Sequence, residues 1–148
     1  MAFITTCAPV RESVSDFGKY IGSVKTVWLD DGIKMRLLDE FTYIDPHGTR
    51  WKAPKDSIVD GASIPKFAWS FIGGPFEGRY RNASVIHDVA CQEQTRKWED
   101  VHLTFYYAMR ASHVEENKAK LMYGAVYHFG PTWTVHIKEK KNRRKCSF

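Results

Sequence analysis

The sequence predicts a single α+β domain in which an antiparallel β-sheet, drawn from the N-terminal half plus a C-terminal strand, packs against two or three helices. Three observations predict it. Two short β-rich pairs flank turn residues in the first third of the chain, helix-period runs occupy the second half, and period-2 alternation returns near the end.

Val24–Leu29 and Ile33–Leu38 flank Asp30-Asp31-Gly32, whose Asp-Gly pair tolerates positive φ, and the pattern reads as a β-hairpin. Ile33, Met35 and Leu37 alternate with Lys34 and Arg36, as in a sheet with one wet face. Phe41–Ile44 and Thr49–Ala53 repeat the design around Asp45-Pro46-His47-Gly48, where His47 reads as a solvated turn residue. Asp60-Gly61 then turns the chain, and Pro65 restricts Ile64 and opens a helix at Lys66.

Arg79 to Gln94, Trp98 to His113 and Glu115 to His128 read as helices, the last ending before Gly130-Pro131. Trp133, Val135 and Ile137 alternate with polar neighbours, which predicts a closing strand. Residues 1–22, interrupted by Gly18 and Gly22, read as an N-terminal arm, and residues 138–148 as a basic tail on one domain spanning 1–148.

The formal net charge of +5 is accounted for by Lys138, Lys140, Lys141, Arg143, Arg144 and Lys145 less Glu139. The body is formally neutral, so nucleic acid is expected only through Lys138–Lys145, a segment that reads first as a solvated terminus and otherwise suits nucleic acid or an anionic membrane surface. Cys7, Cys91 and Cys146 form neither a disulfide framework nor a CxxC zinc pattern. The opening residues lack the form of a signal peptide, and no stretch has the length of a membrane span, so neither export by a signal nor lodging in a bilayer is expected.

Chemistry concentrates between Asp60 and Phe105. His87 and Asp88 are adjacent inside the apolar run Ala83–Cys91, where burying both costs a few kcal/mol unless each finds a partner. Asp100 opens the following helix, close enough for antiparallel helices to join the three. Two readings stand: a catalytic or metal-binding constellation, or a hydrogen-bonded bridge of helix to sheet with Asp100 as a helix-end charge. Asp60 and Ser63 either cap the next helix or line a polar cleft with Cys91. His102, His113, His128 and His136 read as surface or interface residues.

The stretch Val59-Asp60-Gly61-Ala62-Ser63-Ile64-Pro65, with Ala83–Asp88, Arg96–Phe105, Met122–Val126 and Phe129-Gly130, resembles the bacterial and phage family called domain of unknown function 1353 over roughly residues 24 to 134. That resemblance implies a phage or prophage setting, with a host cytoplasm or a virion as the location and other phage proteins as partners. Ile72–Phe76, Ala83–Asp88 and Glu99–Phe105 are also similar, more distantly, to the glycine loop, His-Asp helix and later Asp of phospholipase A2. This second likeness implies a calcium-dependent hydrolase of lipid esters at a membrane surface. His87 would be the general base, Asp100 its orienting carboxylate, and Asp88 a calcium ligand with Gly73 and Gly74. The alternative is a non-catalytic virion or tail-assembly component.

Overall fold

The computed structural model describes residues 16–135 except 73 and 75. Among these, strands β1 (Lys19–Ile21), β2 (Thr26–Trp28), β3 (Met35–Leu37), β4 (Phe41–Ile44), β5 (Arg50–Ala53) and β6 (Ile58–Val59) precede helices α1 (Lys66–Ile72), α2 (Arg81–Glu93), α3 (Trp98–Ala111) and α4 (Glu116–Phe129). The α+β class holds. The strands form two antiparallel three-stranded sheets, ordered β1-β4-β5 and β2-β3-β6, where one sheet was expected.

Both predicted hairpins form, with Thr26 opposite Leu37 and Phe41 opposite Ala53. Alternation decides their faces: Met35 and Leu37 are buried on either side of exposed Arg36, and Trp51 and Ala53 on either side of exposed Lys52. In the second turn the buried Asp45 does more than bend the chain. Its carboxylate accepts from the His47 and Thr49 amides and from Trp51 Nε1, at 2.9, 2.9 and 3.0 Å, while His47 stays exposed as expected.

The N-terminal arm needs correction at its described end, where residues 19–21 are an edge strand paired with β4; residues 1–15 and the basic tail 138–148 lie outside the described residues. Tyr20 stacks on Phe41 at a centroid distance of 5.4 Å, and its hydroxyl donates to Ala108 O on α3 at 2.7 Å. Three residues suffice because an aromatic ring and a buried hydrogen bond anchor them. Gly18 turns the chain into β1 at φ +87, where a Cβ would collide with the Ile44 carbonyl oxygen. The C-terminal strand also needs correction: residues 131–135 run without strand pairing, and Ile137 lies outside the described residues. Trp133 is held by a side-chain bond instead, Nε1 donating to Arg96 O at 2.7 Å.

Helix α2 lies at the centre, packed on α3, β5 and β6, and α3 packs in turn on α4. Ala83, Val85, Ile86, Val89 and Cys91 of α2 are buried, which leaves α2 almost without a wet face. Gln94, left-handed at φ 51, ends it and returns its N–H to Ala90 O. Helix α4 starts on Glu115, whose carboxylate accepts from the Asn117 and Lys118 amides at 3.0 Å each. No helix among the described residues is long and apolar enough to cross a membrane.

Candidate functional site

Successive side chains on a helix diverge by about 100°, so His87 and Asp88 leave α2 in different directions. His87, 1% exposed, points at α3, and Asp88, 2% exposed, points at the loop between β6 and α1. Asp88 Oδ2 accepts from the Asp60 amide at 3.0 Å, from Gln92 Nε2 at 3.1 Å and, more loosely, from the Gly61 amide at 3.5 Å. Those bonds tie the Asp60–Ser63 loop to α2. Ala62 N–H donates to Asp60 Oδ1 at 2.9 Å, which closes the loop on itself and presents Ser63 to His87.

The His87 ring bridges two partners. Nδ1 lies 3.1 Å from Ser63 Oγ, and Nε2 lies 2.9 Å from His102 Nδ1 on α3. His102 Nε2 in turn is 3.0 Å from the carbonyl oxygen of Pro131. A carbonyl only accepts, which fixes the hydrogens along the row when both rings are neutral. His102 carries its proton on Nε2, so its Nδ1 accepts; His87 must then donate from Nε2, and its Nδ1 is a bare lone pair facing the Ser63 hydroxyl.

The surroundings favour neutral rings. Burial, followed by the neighbouring His102, holds the His87 imidazole well below the ordinary imidazole range, and burial lowers His102 as well. Phe105 stacks on His87 at 4.5 Å between centroids, while Trp98 and Trp133 flank His102 at 5.5 and 6.3 Å. Asp88 is raised by burial, which outweighs the hydrogen bonds it accepts from the Asp60 and Gly61 amides. Cys91 completes the cluster with Sγ 3.6 Å from His87 Nε2; its thiol is pushed up to about 12, chiefly by burial, so it stays protonated and is no nucleophile by itself.

The expected residues therefore divide. Asp60, Ser63, Asp88 and Cys91 meet at a cavity of about 430 Å³, with Lys34 and Pro131 on its rim and His87 beneath Ser63. Asp100 is not brought to His87. It is exposed on another face of α3, beside a separate cavity with Asp45, His47 and Arg96. Gly74 sits against the Glu77 side chain, among the described residues none of the hydrogen bonds to Asp88 comes from its loop, and Gly73 lies outside the described residues.

Sequence reasoning missed His102, which it placed on the surface and which is fully buried. The signal was present: His102 is three residues before Phe105 and seven before Met109, on the inward stripe of α3.

The sequence profile described as "Protein of unknown function (DUF1353)" matches residues 35–126. The chain is 52% identical over 102 residues to "Uncharacterized protein y4jT" of Sinorhizobium fredii, an alignment covering 69% of this chain and 30% of the relative. It is 41% identical over 131 residues to "Uncharacterized protein y4iH" of the same organism, covering 88% of this chain and 55% of that one. The chain thus spans about half or less of the length of these relatives. No solved structure matches.

Proposed function

We propose that this chain, which belongs to the DUF1353 family, is a hydrolase of carboxylic esters in which His87 acts as general base on Ser63. The observation that carries the reading is the directed row of hydrogen bonds from Ser63 through His87 and His102 to the Pro131 carbonyl. It leaves the one basic lone pair of His87 on a hydroxyl at the wall of a cavity.

In this reading Ser63 Oγ attacks the acyl carbon as its proton passes to His87 Nδ1. The resulting imidazolium is held through Nε2–H by the His102 lone pair, in the place an aspartate fills in the Ser-His-Asp arrangement. The proton then goes to the leaving alkoxide, and water, deprotonated by the same nitrogen, releases the acid. His102 is a positioning residue, and Asp88 places the nucleophile by holding its loop. The reading retains the general base expected from the sequence and gives its orientation to His102 instead of Asp100. Calcium at Asp88 would have to compete with the Asp60 and Gln92 donors, so Asp88 is given to the loop here.

The test is a panel of activated acyl esters, lipid esters included, together with a fluorophosphonate probe and mass spectrometry. The expected result is covalent labelling at Ser63 that is lost in His87→Gln, with turnover abolished in Ser63→Ala. Full turnover by a folded Ser63→Ala variant would sink the mechanism.

A second reading, assembly with other phage proteins, is favoured by the exposed apolar residues of the β2-β3-β6 sheet and its turn: Trp28 at 60%, Ile33 at 65% and Ile58 at 43%. Under it, Trp28→Ser with Ile33→Ser impairs incorporation into particles while leaving ester hydrolysis unchanged. Normal incorporation of that double variant would count against it.

A further inference from the structure

We propose that His87, Cys91 and His102 form a binding site for one thiophilic divalent cation of the zinc class, and that its occupancy switches off the base function of His87. The binding stands independently of the hydrolase reading. The switching clause rests on it.

The three ligand atoms, His87 Nε2, Cys91 Sγ and His102 Nδ1, lie within 4.8 Å of one another and all three residues are buried. A tetrahedral zinc ion with bonds of about 2.0–2.1 Å to nitrogen and about 2.3 Å to sulfur sets its ligands about 3.3 Å apart for an N···N pair and about 3.6 Å for N···S. The Cys91–His87 separation of 3.6 Å already meets that, and the imidazoles at 2.9 Å need to part by about 0.4 Å. His87 and Cys91 are one turn apart on α2, so two ligands come from one rigid element and the third from the helix packed on it.

The outer partners are also in place. A metal-bound imidazole donates its other N–H to an acceptor that fixes the ring. His102 Nε2 has the Pro131 carbonyl at 3.0 Å, and His87 Nδ1 has Ser63 Oγ at 3.1 Å. The row of hydrogen bonds that serves a base in one tautomer serves a metal in the other. A thiolate and two imidazoles select a borderline-soft ion over calcium or magnesium, which take oxygen ligands. Cys91 and Ser63 both face the cavity, which provides the way in.

Binding sends the Cys91 proton to solvent and takes the lone pairs of His87 Nε2 and His102 Nδ1. His87 then carries its hydrogen on Nδ1, pointing at Ser63, and has no basic nitrogen left for the hydroxyl. Metal and base catalysis exclude one another at this site.

The experiment uses the full chain, stripped with chelator and titrated with zinc or, for its spectrum, cobalt(II). The expected result is one equivalent bound, with a thiolate-to-cobalt charge-transfer band and loss of ester hydrolysis that chelator restores. Cys91→Ser removes the band, and the separate variant His102→Asn weakens binding by at least the roughly tenfold that loss of even an outer partner costs. Cys7→Ser with Cys146→Ser leaves both band and stoichiometry intact. Absence of stoichiometric binding to the folded chain, or a band that survives Cys91→Ser, overturns the site; full hydrolysis with the metal bound overturns the switch. Ser63→Ala separates the two claims, because it abolishes hydrolysis under the preceding proposal and under this one only weakens the metal by the roughly tenfold that an outer partner is worth.

Discussion

His87 Nε2 and His102 Nδ1 face each other at 2.9 Å from two helices packed side by side, and the Pro131 carbonyl beyond His102 gives that bond its direction. Replacing His102 with Leu removes the acceptor and leaves buried His87 Nε2–H with only the weak Cys91 Sγ acceptor at 3.6 Å. The expected cost is about 1–3 kcal/mol, read as a lower urea midpoint at unchanged slope in chelator, together with loss of turnover. A variant as stable and as active as the parent would show that the pair is incidental.

Asp88 is expected to act on the loop more than on the reaction. Asp88→Ala strips the Asp60 amide of its acceptor, at about 1–3 kcal/mol. Amide exchange at Asp60 and Gly61 should then quicken far more than in the core of α2. Uniform quickening over the whole chain would mean that Asp88 supports the fold generally.

How much of this was legible in advance turns on particular residues. Asp-Gly at 31–32 and the Asp45–Gly48 turn marked both hairpins, and apolar periodicity placed α2, α3 and α4 to within two residues at each end. Strand β1 escaped because Gly18 and Gly22 bracket only three residues, too few for alternation to register. Tyr20 secures it by contacts that are remote in sequence, to Phe41 and Ala108. The split into two sheets depends on pairing partners that no local pattern encodes. At the site, Asp100 drew attention as a carboxylate near His87 in sequence, but two helical positions rotate it about 200° away from His102. His102 was passed over because a polar residue on an apolar stripe reads as an exception, although here it is the stripe's link to His87.

Gly18 provides a stability test of the corrected N-terminus. At φ +87, with the Ile44 carbonyl oxygen where a Cβ would go, Gly18→Ala is expected to cost at least about 1 kcal/mol. Thermal unfolding would show it, by roughly 2–4 °C per kcal/mol for a chain of this size. An unchanged melting temperature would return residues 18–22 to the status of an arm.

Glu115 carries an acid-dependent share of stability. The Asn117 and Lys118 amides hold its carboxyl below the ordinary glutamate range. A depressed folded value means that the stabilisation is complete above the unfolded value and lost as pH falls through the folded one. Urea unfolding of the parent and Glu115→Ala should show a gap that narrows on acidification. A gap that is constant with pH would contradict the capping role.

The most direct measurement is nitrogen-15 NMR of the imidazole rings in the chelated full chain near neutral pH, which reads the protonated nitrogen of each histidine. The account predicts that His87 and His102 both carry hydrogen on Nε2, with the bare His87 Nδ1 turned to Ser63. Hydrogen on His87 Nδ1 in the metal-free chain would contradict it, since the nitrogen beside the hydroxyl would then have no lone pair to act as a base.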